Sequence, residues 1–129
     1  HVPAGIALAG AQISSIGYHI TDLMEQAFST PRMTEQGYGA ARLVTLSILG
    51  SLQRALGDLD RVVAWGRVFG MVNSAPDFYD HPKVINGCSE LFAEIWGDEK
   101  GVGARSAVGM GSLPRMCAIE IEVIFELTN

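Results

Sequence analysis

"ARSAVGMGSLPRMCAIEIEVIFEL", residues 104–127, is the stretch from which the fold of this chain can be read. Its first half, Ala104 to Met110, is a run of small and apolar residues entered by one arginine, Arg105, and the Gly111 to Met116 segment then breaks the run with glycine and Leu-Pro. The second half alternates throughout. Cys117, Ile119, Ile121, Val123, Phe125 and Leu127 point one way, and Ala118, Glu120, Glu122, Ile124 and Glu126 point the other. Because side chains alternate across a strand, this pattern predicts two strands divided by a turn, the second with one buried and one mixed face.

Working outward, "HPKVINGCSELFAEIWG" predicts a helix, with Asp80 as N-cap, Pro82 in the first turn and Gly97 beyond the end. Its buried stripe is Val84, Cys88, Leu91, Phe92 and Ile95. Before it, "RVVAWGRVFGMVN" reads as a long strand in which Gly66 and Gly70 share a face with Val62, Ala64, Val68 and Val72, and Ser74 to Asp77 supply a turn. An earlier helix is predicted in "TEQGYGAARLVTLSILGSLQRALGDLD", capped by Thr34, striped by Val44, Ile48, Leu52 and Ala55, and ended by Gly57. The opening "GIALAGAQI" reads as a strand in which Gly10 permits close backbone approach, and Ser14 to Pro31 reads as a loop or excursion. Two helices with matching stripes can cover one face of a sheet. The expected fold is therefore α+β, a two-layer sandwich of a mixed sheet backed by two helices.

Composition narrows the function. At 129 residues, with 48% hydrophobic and 18% charged residues, the chain reads as one domain rich enough in apolar surface to meet another subunit. A net charge of −5 with nine scattered Lys and Arg offers no phosphate-tracking stripe, so nucleic acid is not the expected partner. Cys88 and Cys117 have neither metal-type nor disulfide-framework spacing, which fits a reducing cytoplasm. No apolar run approaches the roughly 18 residues of a membrane span, and no charged-then-apolar leader opens the chain. The sequence starts at His1 rather than at methionine, which leaves open what precedes it.

If Arg105 lies opposite the helix-covered side, the second sheet face carries Arg105, Ala107, Gly109, Glu120, Glu122 and Ile124, together with the glycines of the long strand. Such a face is either solvent-exposed or packed against a second subunit. Its small residues favour the second.

These residues resemble the RidA family, also called YjgF/YER057c/UK114, from about Thr34 to Leu127. The resemblance rests on "ARSAVGMGSLP" followed by "IEIEVIFEL", supported by "TEQGYGAAR", "GDLDRVV" and "VINGCSELFAEIWG". It implies a homotrimer with a cleft at each subunit boundary, and hydrolysis of reactive enamine or imine intermediates to 2-oxo acids and ammonia without metal or organic cofactor. Residue by residue, it implies that Arg105 holds a substrate carboxylate, that Glu120 serves the reacting water, that Asn86 lies in the cleft, and that Gly10 matches the glycine of an early Ser-Gly motif. The chain departs from the pattern at Ala9, at Ala107 and over residues 13 to 31.

The chemistry agrees with those roles. A guanidinium matches a carboxylate with two parallel donors, and Ser106 adds a hydroxyl beside it. Imine hydrolysis needs one carboxyl group as proton relay, for which Glu120 is preferred to Glu122. The alternatives are an Arg105 paired across the sheet with Glu120 or Glu122, and an Asn86 bonded only locally. His19 and His81 are isolated, and no metal set or Ser-His-Asp set assembles. The expected function is thus a deaminase of small 2-imino or 2-enamino acids. A non-catalytic trimer binding a small carboxylate or a partner protein is the alternative, and ribonuclease activity, also attributed to the family, is third.

Overall fold

The computed structural model describes residues 5–13 and 31–128, with side chains from residue 34 onward. The elements are β1 (Gly5–Ile13), α1 (Pro31–Leu56), β2 (Val62–Asn73), α2 (His81–Lys100), β3 (Ala104–Met110) and β4 (Ile119–Leu127), with 3-10 turns at Leu59–Arg61 and Pro114–Met116. The excursion expected over 14–31 lies outside the described residues up to residue 30.

Helix α1 starts at Pro31, so Thr34, the expected N-cap, lies inside it. Proline's fixed φ and missing N–H suit a first helical turn, where the donor would have no intrahelical acceptor. The inward stripe is Ala41, Val44, Ile48, Leu52 and Leu56, at helical spacing, with Leu56 taking the place expected of the exposed Ala55. Gly57 ends the helix at φ 81°, donating its N–H to the Gln53 carbonyl at 2.8 Å.

In α2, Asp80 occupies the N-cap position, but its side chain caps nothing and instead lies 3.5 Å from Lys83 Nζ. Gly97, expected beyond the end, breaks the helix from within at φ 76°, and one further turn reaches Lys100. Ile95 is 43% exposed rather than buried. The residue after it, Trp96, turns inward onto Phe92 and Phe125 at ring separations of 5.6 and 6.1 Å. The helices approach closely at Gly87, where a Cβ would lie 2.2 Å from the Tyr38 carbonyl oxygen. Only glycine allows that contact.

The sheet order is β1-β4-β2-β3; β4 is antiparallel to both its neighbours, whereas β2 and β3 are parallel. Parallel neighbours require a crossover, and α2 supplies it. Ile119, Ile121, Val123, Phe125 and Leu127 of β4 are all buried under the helices, as their alternation predicts. Each fully buried large side chain contributes about 1.5 to 3 kcal/mol of transfer free energy. Among the described residues no helix is long and apolar enough to cross a membrane.

Strand β2 does not keep a single alternation. Register shifts against β4 between Val62 and Ala64, and again between Trp65 and Arg67, bring Val62, Trp65, Val68 and Val72 to the core. An extra residue in a bulge reverses the facing of the residues after it. Gly66 is therefore exposed, while Gly70 faces α2, where a Cβ would lie 2.6 Å from Ile85 Cδ1. The expectation that both glycines mark the uncovered face is corrected for Gly70.

A larger correction concerns β3. Val68, Gly70 and Val72 pair with Arg105, Ala107 and Gly109, which places these three on the helix side. The uncovered face instead carries Ser106 and Val108 beside Phe69 and Met71, followed by Glu120, Glu122 and Ile124. Alternation shows which residues share a face of their own strand, but not which face of the sheet that is.

Candidate functional site at Arg105

Strand β3 is the sheet's edge, where α2 covers it only in part, so a polar side chain can stand on the helix side without being buried in the core. Arg105 does so. Its Nη1 donates to Asn86 Oδ1 at 2.7 Å and to Ser89 Oγ at 3.0 Å, both on α2. Asn86 and Ser89 are three residues apart on a helix and so share a face. Their two oxygens use both protons of one terminal nitrogen. Nε and Nη2 make no hydrogen bond among the described residues.

The guanidinium opens into a pocket of about 400 Å³ lined by Trp65, Asn86, Ser89, Val102, Gly103 and Arg105, with Gly101. Trp65 forms a wall held by the core: it is 3% exposed, with its ring 5.3 Å from that of Phe92. Behind the site, burial pushes the Cys88 thiol up to about 11, partly countered by a Thr45 hydrogen bond and by the charge of Arg105. Cys88 is fully buried and protonated, and packs in the helix stripe as expected.

The expected residues are brought together only in part. Arg105 and Asn86 meet, which rules out a merely local role for the asparagine. Ser89 was not foreseen, although its spacing from Asn86 was the available signal. Glu120 lies on the opposite face of the sheet, opposite Met71 on β4, with β2 between it and β3. The alternative pairing of Arg105 with Glu120 or Glu122 is likewise excluded within one chain, because the partners occupy different faces. Ser106 stands beside Phe69 on the uncovered face, and Gly10 pairs with Glu122 on β1, the far edge. The chain thus presents a complete guanidinium clamp and, on its other face, a separate carboxylate.

Among the described residues no group of three or more His, Cys, Asp or Glu could hold a metal ion. What the clamp can do is bind a small carboxylate through two parallel donors, in a half-buried setting where such bonds are stronger than in water.

Comparison with known proteins bears on the family and the fold. A family model described as "YjgF/chorismate_mutase-like, putative endoribonuclease" matches residues 7–124. Protein TCP17 of Trypanosoma cruzi is 42% identical over 94 residues, covering 73% of this chain and 59% of that protein. A protein of unknown function from Agrobacterium tumefaciens superposes with a TM-score of 0.69 at 39% identity, covering 73% of this chain and 61% of its own. A Shewanella oneidensis "putative endoribonuclease" gives the same TM-score at 32% identity, covering 73% and 62%. The chain spans about three fifths of the length of each of these relatives. With the family model covering nearly all of the described core, and a mixed sheet backed by two helices as the shared fold, the chain belongs to the YjgF family, the RidA family that its Arg-Ser, Leu-Pro and Glu-x-Glu pattern resembles.

Proposed function

We propose that this chain is a deaminase hydrolysing small 2-imino or 2-enamino acids to 2-oxo acids and ammonia, acting at the boundary between copies of itself in a homotrimer. The observation that carries this reading is the Arg105 clamp: one nitrogen fixed by Asn86 and Ser89, two further nitrogens without a hydrogen bond among the described residues, and a pocket beside them. The substrate carboxylate takes the unused donors, which holds the C=N carbon in one place for attack by water. A carboxyl group then relays a proton to the departing ammonia.

Within one chain Glu120 cannot be that carboxyl group, since it lies on the other face. A second copy can provide it. The face bearing Glu120 also carries Phe69, Val108 and Ile124, each half-buried, and Met71, and such a mixed apolar face is suited to packing against another subunit. Each site then combines Arg105 of one copy with Glu120 of its neighbour.

The test is subunit complementation. Arg105→Ala and Glu120→Gln proteins, each inactive on enzymatically generated 2-imino acids, are unfolded together and refolded as mixed trimers. A site shared between neighbours restores about a quarter of the parental activity by random assortment. No recovery from intact mixed trimers would count against the shared site, and equal rates for Arg105→Ala and the parent would remove the deaminase. The same samples incubated with single-stranded RNA address the endoribonuclease named for the Shewanella relative.

A further inference from the structure

A second pocket, of about 520 Å³, lies at the other end of the β3–α2 groove. It is lined by Asn73, Ser74, Phe78, Tyr79, His81 and Met110, among others. Nothing in the proposed deaminase reaction uses it. Ser74 Oγ and His81 Nε2 are 3.1 Å apart at this pocket, which is hydrogen-bond distance between a hydroxyl and a base.

Three features hold the pair in place. The imidazole stands edge-on to Phe78, with ring centroids 5.2 Å apart and planes at 83°. The Ser74 N–H donates to the Met110 carbonyl at 3.3 Å, tying the serine to the end of β3. Gly109 lies beneath both. A Cβ there would come within 2.5 Å of His81 Nε2 and 3.0 Å of Ser74 Oγ, so the pair rests against bare backbone and any other residue would displace it.

We propose that this pocket is a second reactive site, in which Ser74 is acylated by small uncharged esters with His81 as its base. The imidazole is suited to accept a proton at neutral pH, because burial lowers its pKa below the ordinary value of 6.5, outweighing the opposing effect of the Asp80 carboxylate. Among the described residues neither Lys nor Arg lines the pocket, and Asp77 and Asp80 belong to the same loop, so an uncharged acyl group is preferred to an anionic one. In the reaction, Oγ adds to the ester carbonyl carbon while its proton passes to Nε2. The bond from that carbon to the alcohol oxygen breaks, and the alcohol departs with the same proton. Water attacking by the reverse route returns the hydroxyl and releases the acid. Nδ1 has no hydrogen-bond partner among the described residues. With an activated ester the leaving alcohol departs more readily than water displaces the acyl group, so the acyl-serine forms in a burst and clears slowly.

The probe is p-nitrophenyl acetate, mixed with the purified full chain and followed by nitrophenolate release and by intact and peptide mass spectrometry. The expected result is one acetyl group per chain, on Ser74. Ser74→Ala removes the burst. His81→Gln keeps a hydrogen-bonding side chain against the loop but slows acetylation by about a hundredfold, the low end for loss of a general base. Arg105→Ala acetylates as the parent does, so failure of the deaminase reading and failure of this one are distinguishable. Acetyl on Tyr79 or Lys83 in place of Ser74, no adduct on the folded chain, or equal rates for His81→Gln and the parent would overturn the proposal.

Discussion

Replacing Arg105 with lysine keeps the charge and tests the geometry. Nη1 is committed to Asn86 and Ser89 at 2.7 and 3.0 Å, which leaves Nε and Nη2 as the two donors for a ligand carboxylate. A lysine has a single nitrogen. It can satisfy the two α2 oxygens or reach the ligand, but it cannot do the first and also present a two-donor edge. The loss is one charge-assisted contact, about 1.5 to 3 kcal/mol, or roughly tenfold to a hundredfold in affinity. Because Arg105 is only half-buried, the lower part of that range applies. Calorimetric titration with pyruvate or 2-oxobutyrate measures the affinity, and thermal melting of the same samples measures the fold. The expected outcome is weakened binding with an unchanged melting temperature, since a lysine ammonium still bonds Asn86 and Ser89. Parental affinity in Arg105→Lys would refute the clamp. So would a fall in melting temperature with no change in binding, which would make the arginine a strut between β3 and α2.

Ser89→Ala removes one of the two acceptors that fix Arg105 and should weaken the same titration by about threefold to tenfold, an effect absent when Arg105 is already alanine. Glu120→Gln should leave ligand affinity within about threefold of the parent while turnover on 2-imino acids falls by about a hundredfold, separating proton relay from binding. Gly87→Ala should destabilise the fold by about 1 to 3 kcal/mol in denaturant titration, because its Cβ would press on the Tyr38 carbonyl 2.2 Å away and the helix backbones would have to part. Burial lowers the pKa of His81 in the folded state, so as pH falls below the unfolded value of about 6.5 the unfolded chain takes up the proton first and stability declines. The melting temperature of His81→Gln relative to the parent should therefore rise as pH is lowered from about 7 to 5.

The sequence by itself determined the elements and the buried side of most of them. β4 alternates strictly, both helices carry apolar stripes at helical spacing, and Gly57 and Gly97 mark helix interruptions through positive φ that other residues adopt at a cost. These are local properties, set by side-chain periodicity and backbone sterics within one element. Arg105 was legible as a residue to single out, because a lone guanidinium among small residues is chemically distinctive, and the structure adds its bonds to Asn86 and Ser89. What only the tertiary structure decided was which surfaces face each other. Two register shifts in β2 reset its alternation, sending Trp65 to the core and Gly70 to α2, and no periodicity in the sequence announces a bulge. The parallel pairing of β3 with β2 then set Arg105 on the helix side beside Asn86 and Ser89, and Glu120 on the other. Alternation within a strand is a matter of covalent geometry, whereas the side on which a strand joins its sheet depends on long-range pairing, and that choice separated the clamp from the carboxylate.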